Sequence, residues 1–357
     1  MWGVGRSAVS DATGGVCMSE VQQGNAGARN RPGGHAGRLT FQRTVPRHLV
    51  HRASVAEVFL TDALALGDDR FLVGAQWPRD HALYHPDVLG HSDPLLAAET
   101  VRQALVYLAH WHYAIPLDRR FVGRRMELDI TEPQALRVTK QPLPVVLEAR
   151  WEWVDSRPPH RHGMRLEAEL AVDGRKIGRG SLQVVALDER RYSVLRRRTG
   201  GSGTVIPAQR RRALTLPAAQ VGRLRGKDSV LAATGRAGEW ELHADLDHAV
   251  LFDHPTDHVP LMVLLEGVRQ LGHVVTSGHG ASGGRPSVTS QLTSLTVDCL
   301  AFAELDSPVR LRVTDDRTTA RGGRHLAIDA AQDDRGVAAI TGRWHHAGTH
   351  VPSDSPR

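Results

Sequence analysis

At 357 residues, with 41% apolar and 24% charged side chains, the chain has room for about two units at the usual ~150 residues each and is too apolar for wholesale disorder. Apolar stretches such as the five residues Leu261 to Leu265 fall far short of the ~20 needed to cross a bilayer, and the first twenty residues hold no apolar run of the secretory kind. With only Cys17 and Cys299 there is no disulfide framework, so a reducing cytoplasm is the expected home and no membrane partner is expected.

The net charge of +6 is unevenly spread, because eleven basic residues and no acidic one lie between Arg190 and Lys227, leaving −5 for the remainder. That segment reads either as a solvated, arginine-rich linker or as a docking surface for an acidic partner or phosphate. Nucleic acid is not expected, since stacking aromatics are not interleaved with the arginines.

In chain order, residues 1–40 are rich in Gly, Arg, Asn and Ser without periodicity and read as a disordered tail, within which Met18 is a second possible start. Residues 41–190 form the first unit. Phe71 to Trp77 is a strand, and a His85-Pro86 turn leads to a helix with Asp93 as N-cap and Pro94 at the first helical position. Leu95, Leu96, Val101, Leu105 and Leu108 make that helix apolar nearly all round, so it should be buried. Strands follow at Val145–Val154, Met164–Val172 and Ile177–Leu187, the last two joined by an Asp173-Gly174 hairpin turn. Residues 191–227, broken by Gly200, Gly201 and Gly203, are the linker. Residues 228–348 form the second unit, with a helix from Leu261 to Val275 and strands at Val288–Leu300, Val309–Val313, Leu326–Ala330 and Val337–Trp344; residues 349–357 are a tail.

The two units repeat one another. Glu99, Val101, Arg102 and Gln103 recur 167 residues later as Glu266, Val268, Arg269 and Gln270, and His85-Pro86 recurs 169 residues later as His254-Pro255. Pro94-Leu95 and Pro260-Leu261 lie between these anchors. A shared order of anchors indicates tandem duplication. One buried helix followed by antiparallel strands, twice over, suggests an α+β fold with a sheet wrapped around a central helix in each repeat. The spacing from His-Pro to Glu is 14 in one repeat and 12 in the other, so the two need not be equivalent.

Glu99, Arg102 and Gln103 project from one side of an otherwise greasy helix, where charges are costly unless paired or used. An intrahelical ion pair explains a single occurrence; the repetition favours a site. A desolvated Glu raised in pKa is a general base, and a neighbouring Arg holds a phosphate or an oxyanion. His85 and His254 precede the helix starts, where free N–H groups stabilise developing negative charge. Of the twenty histidines, His110-x-His112 and His345-His346 are the best-spaced pairs, but no Cys or carboxylate cluster completes a metal set, and neither metal nor cofactor is expected. Phosphate-binding glycine loops and a Gly-x-Ser-x-Gly elbow are absent, which removes nucleotide and serine hydrolase readings.

A His-Pro turn, a Pro-Leu pair and a helix Glu resemble the hot-dog fold of acyl-thioester dehydratases and thioesterases. More specifically, Val58-Phe59-Leu60-Thr61-Asp62, Gln76-Trp77-Pro78-Arg79 and Glu99-x-x-Arg102-Gln103, in that order, resemble the A-factor biosynthesis proteins, the γ-butyrolactone synthases of streptomycetes. The resemblance covers roughly residues 44–347 and is strongest in the first repeat. It implies a tandem hot-dog fold and an acyltransferase that moves a β-ketoacyl group from acyl carrier protein to the hydroxyl of dihydroxyacetone phosphate. The family's helix carboxylates fall on Glu99 and Glu266 and its arginines on Arg102 and Arg269 as catalytic residues; the positions of His85, His254, Gln103 and Gln270 in the two repeats make them the expected substrate-binding ones. Under this resemblance the acidic carrier protein is the partner of the arginine-rich segment. The alternatives are a thioesterase or dehydratase of the same fold, and a non-catalytic acyl-thioester or lactone binding protein.

Overall fold

In the computed structural model, residues 39–198, 214–243, 245–277, 289–320 and 322–347 are described; the two predicted tails, Cys17, Met18 and the Gly200–Gly203 break fall outside them, apart from residues 39 and 40. Helix α1, Leu95–Trp111, forms where the apolar run predicts it, and all its residues but Arg102 and Trp111 are buried. Asp93 caps it, its Oδ1 accepting the Leu95 amide at 2.9 Å, while Pro94 already has helical angles. Helix α3, Leu261–Thr276, is the second repeat's equivalent. A short helix α2, Glu189–Arg198, follows the first repeat.

Among the described residues, twelve strands form one sheet. The first repeat supplies β1 (Leu60–Gly67), β2 (Arg70–Trp77), β3 (Arg120–Ile130), β4 (Leu143–Trp153), β5 (Arg161–Val172) and β6 (Arg175–Leu187). The second supplies β7 (Leu231–Ala233), β8 (Glu239–Leu242), β9 (Thr289–Cys299), β10 (Val309–Thr318), β11 (Arg324–Gln332) and β12 (Arg335–Ala347). The order β1-β2-β4-β5-β6-β3 in one half is matched by β7-β8-β10-β11-β12-β9 in the other, and β3 pairs with β9 to close the seam. Each repeat places its helix after the second strand, so the duplication extends to topology.

Burial alternates along β4, with Leu143, Val145, Leu147, Ala149 and Trp151 buried and their neighbours more open, so one sheet face covers the helices and the other meets solvent. Close packing needs small residues. A Cβ on Gly180 of β6 would sit 2.8 Å from Val101 Cγ2 of α1, which explains the glycine there. The β5–β6 turn has Asp173 and Gly174 at φ 49° and 73°, the left-handed pair that the Asp-Gly sequence predicts. At the seam, Glu127 opposes Thr296 at the centre of the ladder running from Arg125↔Asp298 to Asp129↔Ser294. Those residues are 169 apart, the same offset as the His-Pro pairs, so the pseudo-twofold axis passes between them.

The segment expected to be a solvated linker is partly structural. Arg196 of α2 is buried and forms a two-pronged pair with Glu304 at 2.8 and 2.7 Å, and Arg223 is only 3% exposed. Residues 218–228 carry two short 3-10 turns that repeat those at 47–57 in the first half. Among the described residues, no helix is long and apolar enough to cross a membrane.

Candidate active site

Each repeat brings an arginine to its helix glutamate by one local device. After Pro46, a 3-10 turn at Arg47–Val50 ends at His51 with φ 52°, and the left-handed residue turns the chain so that Arg52 enters the core. After Pro217, a turn at Ala218–Val221 ends at Gly222 with φ 66° and delivers Arg223. The sequence reading missed both arginines. The signal was present as Pro-x-x-x-Val-x-Arg at residues 46–52 and 217–223, a constant offset of 171.

Glu99 is fully buried and accepts from Arg52 Nε at 3.0 Å, from Arg102 Nε and Nη2 at 2.8 and 2.7 Å, and from Gln103 Nε2 at 2.7 Å. Glu266 is likewise buried, held by Arg223 through both oxygens, by Arg269 Nε at 3.3 Å and by Gln270 Nε2 at 2.5 Å. Burial alone would raise both carboxyls, as the sequence suggests, but the result is the reverse. Arg102 and then Arg52 hold Glu99 down at about 2, and Arg223 and then Arg269 do the same for Glu266. Both are therefore anions at neutral pH, engaged by guanidinium and amide donors and suited to fixing guanidinium groups.

Gln103 and Gln270 are clamps. Their Nε2 groups also donate to the Glu57 and Asp228 carbonyls, and their Oε1 atoms accept the Phe59 and Val230 amides, which leaves both side chains fully buried within protein contacts. A second duplicated pair pins the same turns. His81 Nε2 faces Glu57 at 3.3 Å and His248 Nε2 faces Asp228 at 3.1 Å, while each Nδ1 accepts amides two and three residues further on. An accepting Nδ1 places the ring hydrogen on Nε2, which then donates to the carboxylate.

Both clefts are built across the repeats. Asp93, before α1, receives Arg223 at 2.7 Å and lies 3.9 Å from Arg269, and Arg223 also donates to the Leu83 carbonyl at 2.7 Å. Reciprocally Asp253, before α3, accepts the Ala53 and Ser54 amides at 2.6 and 3.0 Å and lies 3.9 Å from Arg52. Arg102 Nη2 and Arg269 Nη2 are anchored on the Val50 and Val221 carbonyls, leaving each Nη1 without a protein hydrogen bond among the described residues; these side chains are 18% and 11% exposed.

The predicted histidines fall one in each cleft but in different settings. His85 is buried and lines the second-repeat cleft with Arg223, Arg269, Asp93, Ser290 and Trp344. Its Nδ1 lies 2.9 Å from the Pro86 carbonyl, a pure acceptor, so in the neutral ring Nδ1 carries the hydrogen and Nε2, without a hydrogen-bond partner among the described residues, offers its lone pair. His254 is half exposed, with Nδ1 3.6 Å from Asp253; burial, then Arg102 and Arg52, push its pKa below the usual range, which keeps it neutral near pH 7. His110 is used locally, its Nε2 2.8 Å from His51 Nε2 and its Nδ1 2.7 Å from the Ile115 carbonyl.

The A-factor biosynthesis hotdog domain model matches residues 36–188 and again 205–347. The chain is 35% identical over 294 residues to a 2-oxo-3-(phosphooxy)propyl 3-oxoalkanoate synthase of Streptomyces virginiae, covering 82% of this chain and 95% of that one. It is 33% identical over 290 residues to the protein of that name from Streptomyces coelicolor, covering 81% and 88%. Among solved structures it is similar to a putative oleoyl thioesterase of Lactobacillus plantarum at 15% identity and a TM-score of 0.45, covering 80% of this chain and 98% of that one. With one match on each half and the same strand order in both, the chain belongs to the A-factor biosynthesis hotdog family and carries its domain twice.

Proposed function

We propose that the protein is an acyltransferase that joins a 3-oxoacyl group to the hydroxyl of dihydroxyacetone phosphate, the product being a 2-oxo-3-(phosphooxy)propyl 3-oxoalkanoate. The relatives' names supply the reaction class. The observation that carries the reading to this chain is the pairing, in each cleft, of a helix arginine with an open Nη1 and an imidazole from the other repeat able to accept a proton.

In this reaction the hydroxyl oxygen attacks the thioester carbonyl carbon and its proton passes to the imidazole of His254 or His85. Arg102 or Arg269 binds the carbonyl oxygen as it becomes an oxyanion, or the phosphate of the acceptor. The C–S bond then breaks and the leaving sulfur takes the proton back from the imidazolium. Glu99 and Glu266 act one step removed, as positioning residues for the arginines. Acyl carrier protein is the proposed donor. The exposed Arg190, Arg197 and Arg198 of α2 have no carboxylate partner among the described residues and suit an acidic surface.

The test is to incubate the purified chain with a 3-oxoacyl thioester and dihydroxyacetone phosphate and follow products by mass spectrometry, with His254→Asn and His85→Asn beside it. A phosphorylated ester lost in one variant supports the transferase and identifies the base. Free 3-oxo acid with no dependence on the phosphate acceptor would instead establish a thioesterase.

A further inference from the structure

We infer that the hydrocarbon tail of the acyl donor lies in an apolar recess beside the first-helix cleft, which makes the Glu99–Arg102 cleft the working one of the pair. The inference rests on the transferase reading. The recess, about 730 Å³ including its open mouth, is walled by Val122, Leu195, Leu261, Leu264, Phe302 and Val337.

Two segments of chain form both this recess and the first-helix cleft. Phe121 of β3 packs edge-on against His51, which adjoins Arg52, and the next two residues, Val122 and Gly123, line the recess. The loop before α3 begins at Asp253, bound to the Ala53 and Ser54 amides that follow Arg52, passes His254, and reaches the recess at His258 and Val259, with the Val259 amide fixed to the Ala303 carbonyl at 2.8 Å. Gly123 keeps the wall open: a Cβ there would meet only Leu261 Cδ2 at 3.9 Å and Cys299 Sγ at 4.0 Å. Two polar side chains stand among the lining residues, Arg124 and His258, and the His258 Nδ1 is held by Asp257 at 2.7 Å.

The pseudo-twofold axis provides the comparison. At an offset of 169, Val122 and Gly123 correspond to Gln291 and Leu292, which line the second cleft, and at 167 His258 and Val259 correspond to His91 and Ser92, which line it too. There the wall mixes His91, Ser92 and Gln291 with Leu292, and Trp344, packed against Gly272 of α3, lines it as well. A 3-oxoacyl chain is apolar beyond its second carbonyl, and the recess beside the first cleft offers that part the more apolar wall of the two.

The test uses the full chain and a series of 3-oxoacyl N-acetylcysteamine thioesters from four to ten carbons. In the wild type, kcat/KM should rise about threefold to fourfold per methylene, the value of burying each one. Leu264→Trp fills the recess, and the ten-carbon to four-carbon ratio should fall at least ~10-fold; a ratio within about twofold of wild type overturns the assignment. Because that variant could fail to fold, the wild-type protein is also photolabelled with a thioester carrying a terminal diazirine. Labelling at Leu261, Phe302 or Val337 supports the recess, whereas labelling at Leu292 or Trp344 overturns it. If no thioester yields ester, the transferase reading fails, and the photolabel still decides where the chain binds.

Discussion

Replacing Glu99 by Gln is the sharpest test of how the first cleft is held. The change keeps shape but removes the charge that Arg52, Arg102 and Gln103 all converge upon. Arg52 is 8% exposed and its next carboxylate, Asp253, is 3.9 Å away, so it is left as a buried cation without a close counter-ion. Breaking a buried pair from one side typically costs ~3–5 kcal/mol. At ~2.1 cal/mol/K of unfolding entropy per residue, a chain of 357 residues loses about 1.3 °C of melting temperature per kcal/mol, so a fall of roughly 4–7 °C is expected by scanning calorimetry at pH 7. Glu99→Leu with Arg52→Met removes both charges and should recover at least half of that loss, because two apolar side chains need no partner. A fall below about 2 °C in Glu99→Gln, or equal losses in the single and double variants, would refute the view that the carboxylate fixes the arginines.

The same network predicts an acid limb. With Glu99 and Glu266 held at about 2 in the folded chain against an ordinary carboxylate value near 4.5, their contribution is complete above the ordinary range and is lost as pH falls from about 4.5 through 2, which calorimetry at stepped pH would show as a steepening that Glu99→Gln lessens. Gly272→Ala should destabilise by ~1–3 kcal/mol or more in urea unfolding, since its Cβ would fall within the Trp344 indole; a neutral result would mean that Trp344 is free to move. Asp253→Ala frees the Ala53 and Ser54 amides and should speed hydrogen exchange there while leaving the β3–β9 seam protected, and uniform exchange across the chain would contradict that.

Sequence patterning carried the parts of the fold with local causes. Apolar periodicity gave α1 and α3, and the Asp173-Gly174 turn placed β5 and β6, because each signal lies within a few residues of its effect. Strand β3 was not legible: Arg125, Glu127 and Asp129 alternate along it, and Arg125, beside Glu127 at 2.7 Å, is also held by Asp298, 173 residues away, at 2.5 Å. Strands β7 and β8, of three and four residues, are too short to show a period. At the candidate site the helix triads were readable because duplication marked them, yet the sign of the carboxylate shift was not, since Arg52 and Arg223 arrive from distant turns to join the local Arg102 and Arg269. The difference between buried His85 and half-exposed His254 is likewise a tertiary property.

Joining both hot-dog units in one polypeptide has a consequence for how substitutions act. Were the sheet assembled from two identical chains, each change on one side of the axis would appear on the other, and neither cleft could alter alone. Here the left-handed position after the 3-10 turn is His51 in one half and Gly222 in the other, and the matching sheet positions are Val122 and Gln291. A single chain can therefore refine one cleft while the other, freed from turnover, keeps only the duties of packing, and the β3–β9 seam stays intact at any dilution because its two edges are never separate molecules.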